Sequence, residues 1–213
     1  MPLLYKFDSD IEIELAIWKI SEDAPYFYNK LVIHQDEESI IEELSHRKLI
    51  EWLGSRYLLH LMSGRTDRGK FTKDIHGKPH LEDSNFHISI SHSRNLVAVI
   101  ASSLLVGIDI QYYVPKIYRI KHKFVNDNEI ASIPDNKTLE ALHVIWGAKE
   151  SLYKAYGKRS LDFKKNILIW DLDLTNNSGE FYGKVIKGDY NKDFTIKFNL
   201  FKKFTLVYAK ESN

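Results

Sequence analysis

The chain has 213 residues, 44% of them apolar, enough to bury a core in one large domain or two small ones. Thirty Lys and Arg offset twenty-nine Asp and Glu for a formal net charge of +1, so no global field draws the chain to nucleic acid or to a membrane surface, and attraction to a charged partner must be local. The absence of cysteine excludes disulfides and thiolate metal sites.

Lys6, Asp8 and Asp10 interrupt the first ten residues as the apolar core of a signal peptide would not allow. The longest apolar stretch, Leu96 to Ile110, contains Ser102 and Ser103 and falls short of the ~18 to 20 residues of a membrane-spanning helix. A cytoplasmic protein is expected. Ile11 to Ile20 sets Ile11, Ile13, Leu15 and Ile17 against Glu12, Glu14, Ala16 and Trp18, the period of a half-buried strand. From Asp36 to Met62 the apolar residues Ile40, Ile41, Leu44, Ile50, Leu53, Tyr57, Leu58 and Leu61 recur at helical spacing, which predicts one helix capped by Asp36 or Ser39 and ended by Ser63 and Gly64. A polar segment through Gly69 and Gly77 leads to a strand over Phe86 to Ser91, with Phe86, Ile88 and Ile90 inward and His87, Ser89 and Ser91 outward. Strands follow over Leu96 to Ala101 and Leu104 to Ile110.

Pro115 breaks the pattern, and a basic stretch (Lys116, Arg119, Lys121, His122, Lys123) runs toward Glu129. A loop over Ser132 to Lys137 precedes a second helix, Thr138 to Tyr156, stopped by Gly157. Strands are expected again over Ile167 to Leu174, Phe181 to Ile186 and Phe194 to Lys210, the last with a turn near Lys202 and Lys203. A series of strand, helix and strands thus occurs twice, with a joint near Ser102 to Leu105. No residue-level repeat accompanies it, so a duplicated architecture does not follow from the residues themselves.

Three segments carry candidate chemistry. In Gly107-Ile108-Asp109-Ile110-Gln111 one strand face presents Asp109 and Gln111; ordinary outward polar residues would look the same, although aspartate is disfavoured in strands. In Trp146-Gly147-Ala148-Lys149-Glu150-Ser151-Leu152-Tyr153-Lys154, Trp146, Glu150 and Lys154 fall four apart on one helical stripe. Glu150 followed by Lys154 is also the favoured order for a surface ion pair of ~0.2 to 0.5 kcal/mol. Gly147 inside the helix costs about 0.5 to 1 kcal/mol relative to alanine and signals a close approach by another backbone or a ligand. The third segment is Gly77-Lys78-Pro79 followed by Phe86 to Ser93, ending in hydroxyls and an imidazole. A serine hydrolase is rejected, because no glycine-flanked nucleophile elbow is present and adjacent strand residues point apart; a plain strand end and a phosphate site both remain open. There is no P-loop, no dinucleotide glycine fingerprint and no His-Glu-x-x-His zinc motif.

In order and spacing, Gly77 to Pro79, Phe86 to Ser93, Gly107 to Gln111 and Trp146 to Lys154 resemble the 4′-phosphopantetheinyl transferase superfamily, in its long single-chain form that activates surfactin and other peptide synthetases. That family carries a Gly-Lys-Pro, a Phe-Asn-Ile-Ser-His-Ser-like strand, Gly-Ile-Asp-Ile-Glu, and a Trp-x-x-Lys-Glu-Ser helix ending in Lys. The resemblance covers Arg47 to about Leu161, including Gly54-Ser55-Arg56, which is similar to the family's Gly-x-Arg helix.

The resemblance implies an α+β fold of two similar halves, 1–103 and 104–213, each a small antiparallel sheet on a long helix, with coenzyme A in the cleft and the metal site in the second half. It implies transfer of phosphopantetheine from coenzyme A to a serine of an apo acyl or peptidyl carrier protein in fatty acid, polyketide or nonribosomal peptide synthesis. Asp109 and Glu150 would bind Mg²⁺, or Mn²⁺, with Glu150 also helping to deprotonate the serine. Lys154 would protonate or neutralise the leaving 3′,5′-ADP, and Arg56, Lys78, Ser91 and His92 would grip the nucleotide and its phosphates. Glu129 lies where the family carries another acid near the metal. Gln111 departs from the family's third acidic ligand; its amide oxygen adds no charge and implies weaker metal binding, with water in that place. His87 and Ile90 depart from the shorter family strand, and Ser91-His92-Ser93 aligns better than a register through Ser89. A monomer is implied, since one chain supplies both halves of the cleft, and the basic stretch Lys116 to Lys123 would meet an acidic carrier helix. The rival readings are a non-catalytic coenzyme A binding module, opposed by the intact Lys149-Glu150-Ser151 and Lys154, and a metal-dependent phosphodiesterase, opposed by the lack of further clustered carboxylates.

Overall fold

A computed structural model describes residues 3–10, 13–131 and 133–212. Ile11, Glu12 and Ser132, assigned above to a strand and a loop, lie outside the described residues. In chain order the elements are β1 (Leu3–Asp10), β2 (Ile13–Lys19), α1 (Ala24–Tyr28), α2 (Gln35–Glu42), α3 (His46–Ser63), β3 (Phe71–Lys73), β4 (Pro79–Leu81), β5 (His87–Ser93), β6 (Leu96–Ser102) and β7 (Val106–Tyr112). There follow α4 (Lys116–Ile120), α5 (Asp127–Ile130), α6 (Thr138–Tyr156), β8 (Ile167–Trp170), β9 (Ser178–Lys187), β10 (Tyr190–Leu200) and β11 (Phe204–Glu211), with short 3₁₀ turns at Lys121–Lys123 and Asp135–Lys137.

The strands form two antiparallel sheets, ordered β1-β2-β6-β5-β4-β3 and β7-β11-β10-β9-β8. With β1 set aside, the two topologies coincide. In each half a first strand (β2, β7) leads through helices into a four-strand meander whose last strand (β6, β11) returns to pair with the first. The fold is therefore α+β with two similar halves, and the duplication absent from the residue pattern is present in the connectivity.

Three apolar clusters stack the halves into four layers. Leu53 and Leu58 of α3 pack on Ala16, Trp18, Val97 and Val99 of the first sheet. On that sheet's other face Leu15, Ile17, Ala98 and Ile100 meet Ile108, Ile110, Leu206 and Tyr208 of the second. Ile145, Ala148 and Leu152 of α6 pack on Val207, Phe181 and Ile196 from the far side. Sandwiching explains a correction: Ile13 to Trp18 is buried on both faces apart from Glu14, not half-buried, because α3 covers one side and the second sheet the other.

The helix expected over Asp36 to Met62 is two helices. Glu37 reaches back to the His34 N–H at 3.1 Å to start α2 in a capping box, and Ser45, in extended conformation, restarts the chain as α3. Gly64 ends α3 with φ +60° and Gly157 ends α6 with φ +73°, the left-handed conformation a C-terminal stop requires. No helix among the described residues is long and apolar enough to cross a membrane.

Candidate functional site

β7 is the edge strand of the second sheet, and two close approaches bring α6 down on it and on its neighbour β11. A Cβ on Gly107 would lie 1.9 Å from the Ser151 carbonyl oxygen, and one on Gly147 would lie 2.8 Å from Val207 Cγ2 and 3.8 Å from Asp109 Oδ2. Ser151 Oγ donates to Val207 O at 3.0 Å, pinning the helix at that distance. The close approach that Gly147 signalled is thus a neighbouring strand, and it leaves the Asp109 carboxylate buried beneath the helix.

The outward N–H groups of an edge strand need acceptors. Here they come from the other half: Oγ of Ser89, Ser91 and Ser93 on β5 accept from Ile108, Ile110 and Tyr112 N at 3.2, 3.2 and 3.1 Å. All three are buried against β7, although Ser89 and Ser91 were expected to face outward, and Phe86, expected inward, is exposed ahead of β5.

Asp109 Oδ1 accepts two hydrogen bonds, from Ser91 Oγ at 2.9 Å and from Lys154 Nζ at 2.8 Å. Lys154 Nζ also donates to Ile108 O at 2.8 Å. So Lys154 reaches across to β7, and its ion pair is with Asp109 and not with Glu150. Asp109 Oδ2 is buried with no hydrogen-bond partner. Glu150, half-buried on α6, has its carboxyl pKa raised by burial and then by the charge of Asp109, with Lys154 opposing. Gln111 lies two residues along β7 on the Asp109 side, half-buried.

These donors fit a hard divalent cation. Two carboxylates in electrostatic contact, one with an unpartnered buried oxygen, and an amide on the same strand face form an all-oxygen set of the kind Mg²⁺ or Mn²⁺ takes. No group of three or more His, Cys, Asp or Glu side chains suited to a metal occurs among the described residues, so a cation here would rest on two protein carboxylates.

Arg56 and His92 lie elsewhere, lining a cavity of about 670 Å³ in the first half together with Glu37, Lys48, Glu51, Lys70 and Lys73. The Arg56 guanidinium lies 3.7 Å from the ring centre of Trp52 and 4.9 Å from that of Phe71. Burial pulls its pKa down to about 10, with Glu37, 3.8 Å away, holding it up, so it stays charged at neutral pH. His92 Nδ1 is 3.4 Å from Glu51 Oε2, and Glu51 also accepts from Arg47 Nε at 2.9 Å.

Lys78 Nζ donates to Ala155 O at 2.8 Å, one half capping the last turn of the other half's helix. Its stem covers Gly157, where a Cβ would lie 2.4 Å from Lys78 Cδ. Lys78 and Lys154 share a cavity of about 140 Å³ with Pro79 and Ile90, which also line the larger one; the two spaces adjoin. Glu129 pairs with the fully buried Lys149 at 2.8 Å, and Lys149 also donates to Phe163 O and Ile167 O at 2.8 and 3.1 Å.

The structure therefore gathers Asp109, Glu150, Lys154 and Ser91 in one cluster, holds Arg56 and His92 in a cavity lined by both bases and acids, and sets Lys78 between them. Glu51, Trp52 and Phe71 join the cavity although no motif in the sequence marks them. Two of them stood four residues from a partner on one helix, Arg47 before Glu51 and Trp52 before Arg56, a spacing at which side chains meet.

Residues 105–199 match the family model of the 4′-phosphopantetheinyl transferase superfamily. The match begins just before β7 and ends within β10, so Asp109, Gln111, Glu129, Glu150 and Lys154 fall inside it, and Arg56, Lys78, Ser91 and His92 outside. No curated protein matches the chain.

Proposed function

We propose that the protein is a 4′-phosphopantetheinyl transferase of the long single-chain type, moving phosphopantetheine from coenzyme A to a serine of an apo acyl or peptidyl carrier protein. The observation that carries this reading is the Asp109, Glu150 and Lys154 cluster on β7 and α6, within the segment matched to that superfamily. The halves 1–103 and 104–213 act as the two walls of one cleft, in a cytoplasmic monomer.

Mg²⁺ or Mn²⁺, held by Asp109, Glu150 and, directly or through water, Gln111, would neutralise and polarise the diphosphate of coenzyme A. Glu150, beside Asp109 on the face of α6 turned to β7, takes the proton from the carrier serine hydroxyl. The serine oxygen bonds to the β-phosphorus as the bond from that phosphorus to the bridging oxygen breaks. The electron pair leaves on 3′,5′-ADP, whose new negative charge Lys154 neutralises. Arg56 and His92, in a cavity of a size usual for small-molecule ligands, hold the nucleotide. The exposed basic residues of α4 and the turn after it receive the acidic face of the carrier.

Release of 3′,5′-ADP measured with and without apo carrier tests this reading. Release only when carrier and Mg²⁺ are both present supports it. Release without carrier means a phosphodiesterase, and coenzyme A binding with no release under any condition means a binding module.

A further inference from the structure

We propose that Ser91 is a positioning residue that aims the Asp109 carboxylate, so that the cation affinity of the second half depends on a hydroxyl from the first; this rests on the reading of Asp109 as a metal ligand. Three serines at alternate positions of β5 make the same contact with β7, each accepting one backbone N–H. Only the middle one meets an acid. Ser91 Oγ gives its single proton to Asp109 Oδ1 at 2.9 Å while it accepts from Ile110 N at 3.2 Å.

A hydroxyl has one proton to donate. With that proton on Asp109 and the Ile110 N–H on its oxygen, Ser91 has none left for a nucleotide phosphate, the role its place in the sequence implied. Its contact, with that of Lys154, engages Oδ1 fully and leaves Oδ2 as the buried oxygen without a partner. Lys154 alone would not fix the carboxylate, because its ammonium is on a flexible four-carbon stem and is a quarter exposed. Ser91 is short, buried and anchored to the β7 backbone, so it sets the torsion that presents Oδ2. Partners that orient a ligand in this way change metal affinity about 10- to 100-fold when removed.

The test compares Ser89→Ala, Ser91→Ala and Ser93→Ala, each lacking the hydrogen bond its serine accepts from a β7 N–H, and Ser91→Ala alone also lacking the donation to Asp109. Mn²⁺ is titrated into each protein at saturating coenzyme A without carrier, reading free Mn²⁺ by electron paramagnetic resonance, and coenzyme A affinity is measured separately in chelator. Ser91→Ala is expected to weaken Mn²⁺ binding about 10-fold, with coenzyme A affinity in chelator unchanged, while Ser89→Ala and Ser93→Ala keep the wild-type Mn²⁺ affinity. Equal Mn²⁺ affinity in all three variants, or a Ser91→Ala loss confined to coenzyme A, overturns the proposal. Should Ser91→Ala fail to fold, Ser91→Thr, which keeps the hydroxyl, must hold Mn²⁺ within about twofold of wild type, below the 10-fold loss expected without the hydroxyl; a loss of 10-fold or more contradicts the role. Asp109→Asn separates the two levels: if it binds Mn²⁺ like wild type, the ligand reading itself is wrong, whatever Ser91 does.

Discussion

Lys154 Nζ and Asp109 Oδ1 lie 2.8 Å apart although 45 residues separate them in the chain. One ammonium thereby neutralises a carboxylate buried under α6, and it also lowers the pKa of Glu150 against the raising effects of burial and Asp109.

Replacing Lys154 by Met should leave Asp109 and Glu150 facing each other without a cation. The pair is partly open to solvent on the lysine side, so the cost is set at about 1 to 2 kcal/mol, a fall of about 2 to 8 °C in the melting midpoint for a chain of this size. Millimolar Mg²⁺ should raise the midpoint of Lys154→Met more than that of the wild type, because it restores the missing charge. An equal response in calorimetry would mean that these carboxylates hold no metal.

Gly107→Ala should be among the most damaging single changes in the protein. The new methyl would lie 1.9 Å from a backbone oxygen of α6, and a helix cannot move away without parting from Val207 and Asp109. A loss of about 3 kcal/mol or more is expected, read as a collapse of the melting midpoint or as insoluble expression. Near-wild-type stability would show that α6 is not held as close to β7 as described.

His143 gives stability a dependence on pH. It is fully buried, its Nδ1 donating to Leu139 O at 2.8 Å and its Nε2 accepting from Val114 N at 3.1 Å, an arrangement that requires the neutral ring. Burial lowers its pKa below 6.5, against the Leu139 carbonyl and the charges of Glu140 and Asp109. As pH falls, the unfolded chain therefore takes the proton first, so the contribution is complete above 6.5 and is lost as pH falls through the lower folded value. Melting midpoints between pH 7.5 and 5.5 should fall more steeply for the wild type than for His143→Gln; parallel curves would remove His143 as the cause.

Arg119 and Lys121 lie exposed on α4 and the turn that follows it. Changing both to Ala should raise the KM for a carrier several-fold, mostly through slower association at low salt, and leave coenzyme A affinity alone. If carrier KM stays constant over a range of ionic strength, carriers dock elsewhere.

What the residues disclosed and what they hid follow from the range of the interactions. Thr138 to Tyr156 reads as a helix because its apolar stripe and its Gly157 stop are both local, and Gly64 marks the end of α3 for the same reason. The break between α2 and α3 was hidden because apolar spacing runs through it; the extended backbone of Ser45 decides it, a single-residue choice that periodicity does not see. β3 and β4, of three residues each, are too short to show alternation. Leu3 to Asp10, read only for targeting signals, form β1. At the site, the order of Gly107 to Gln111 and Trp146 to Lys154 pointed to the cluster through resemblance. The partners did not: Lys78 capping α6 and Ser91 turning to β7 are set by packing between the halves, and Lys154 reaching Asp109 by α6 lying on β7 within the second half, across 77, 18 and 45 residues of chain.

The most direct measurement is the intact mass of an apo acyl carrier protein after incubation with this protein, coenzyme A and Mg²⁺, beside the same reaction with Glu150→Gln. A gain of one phosphopantetheine group is expected with the wild type and a rate lower by about 10² to 10⁴ with the variant, the usual worth of a positioned general base. No gain on any of several carriers, from protein that demonstrably binds coenzyme A, would contradict the transferase reading.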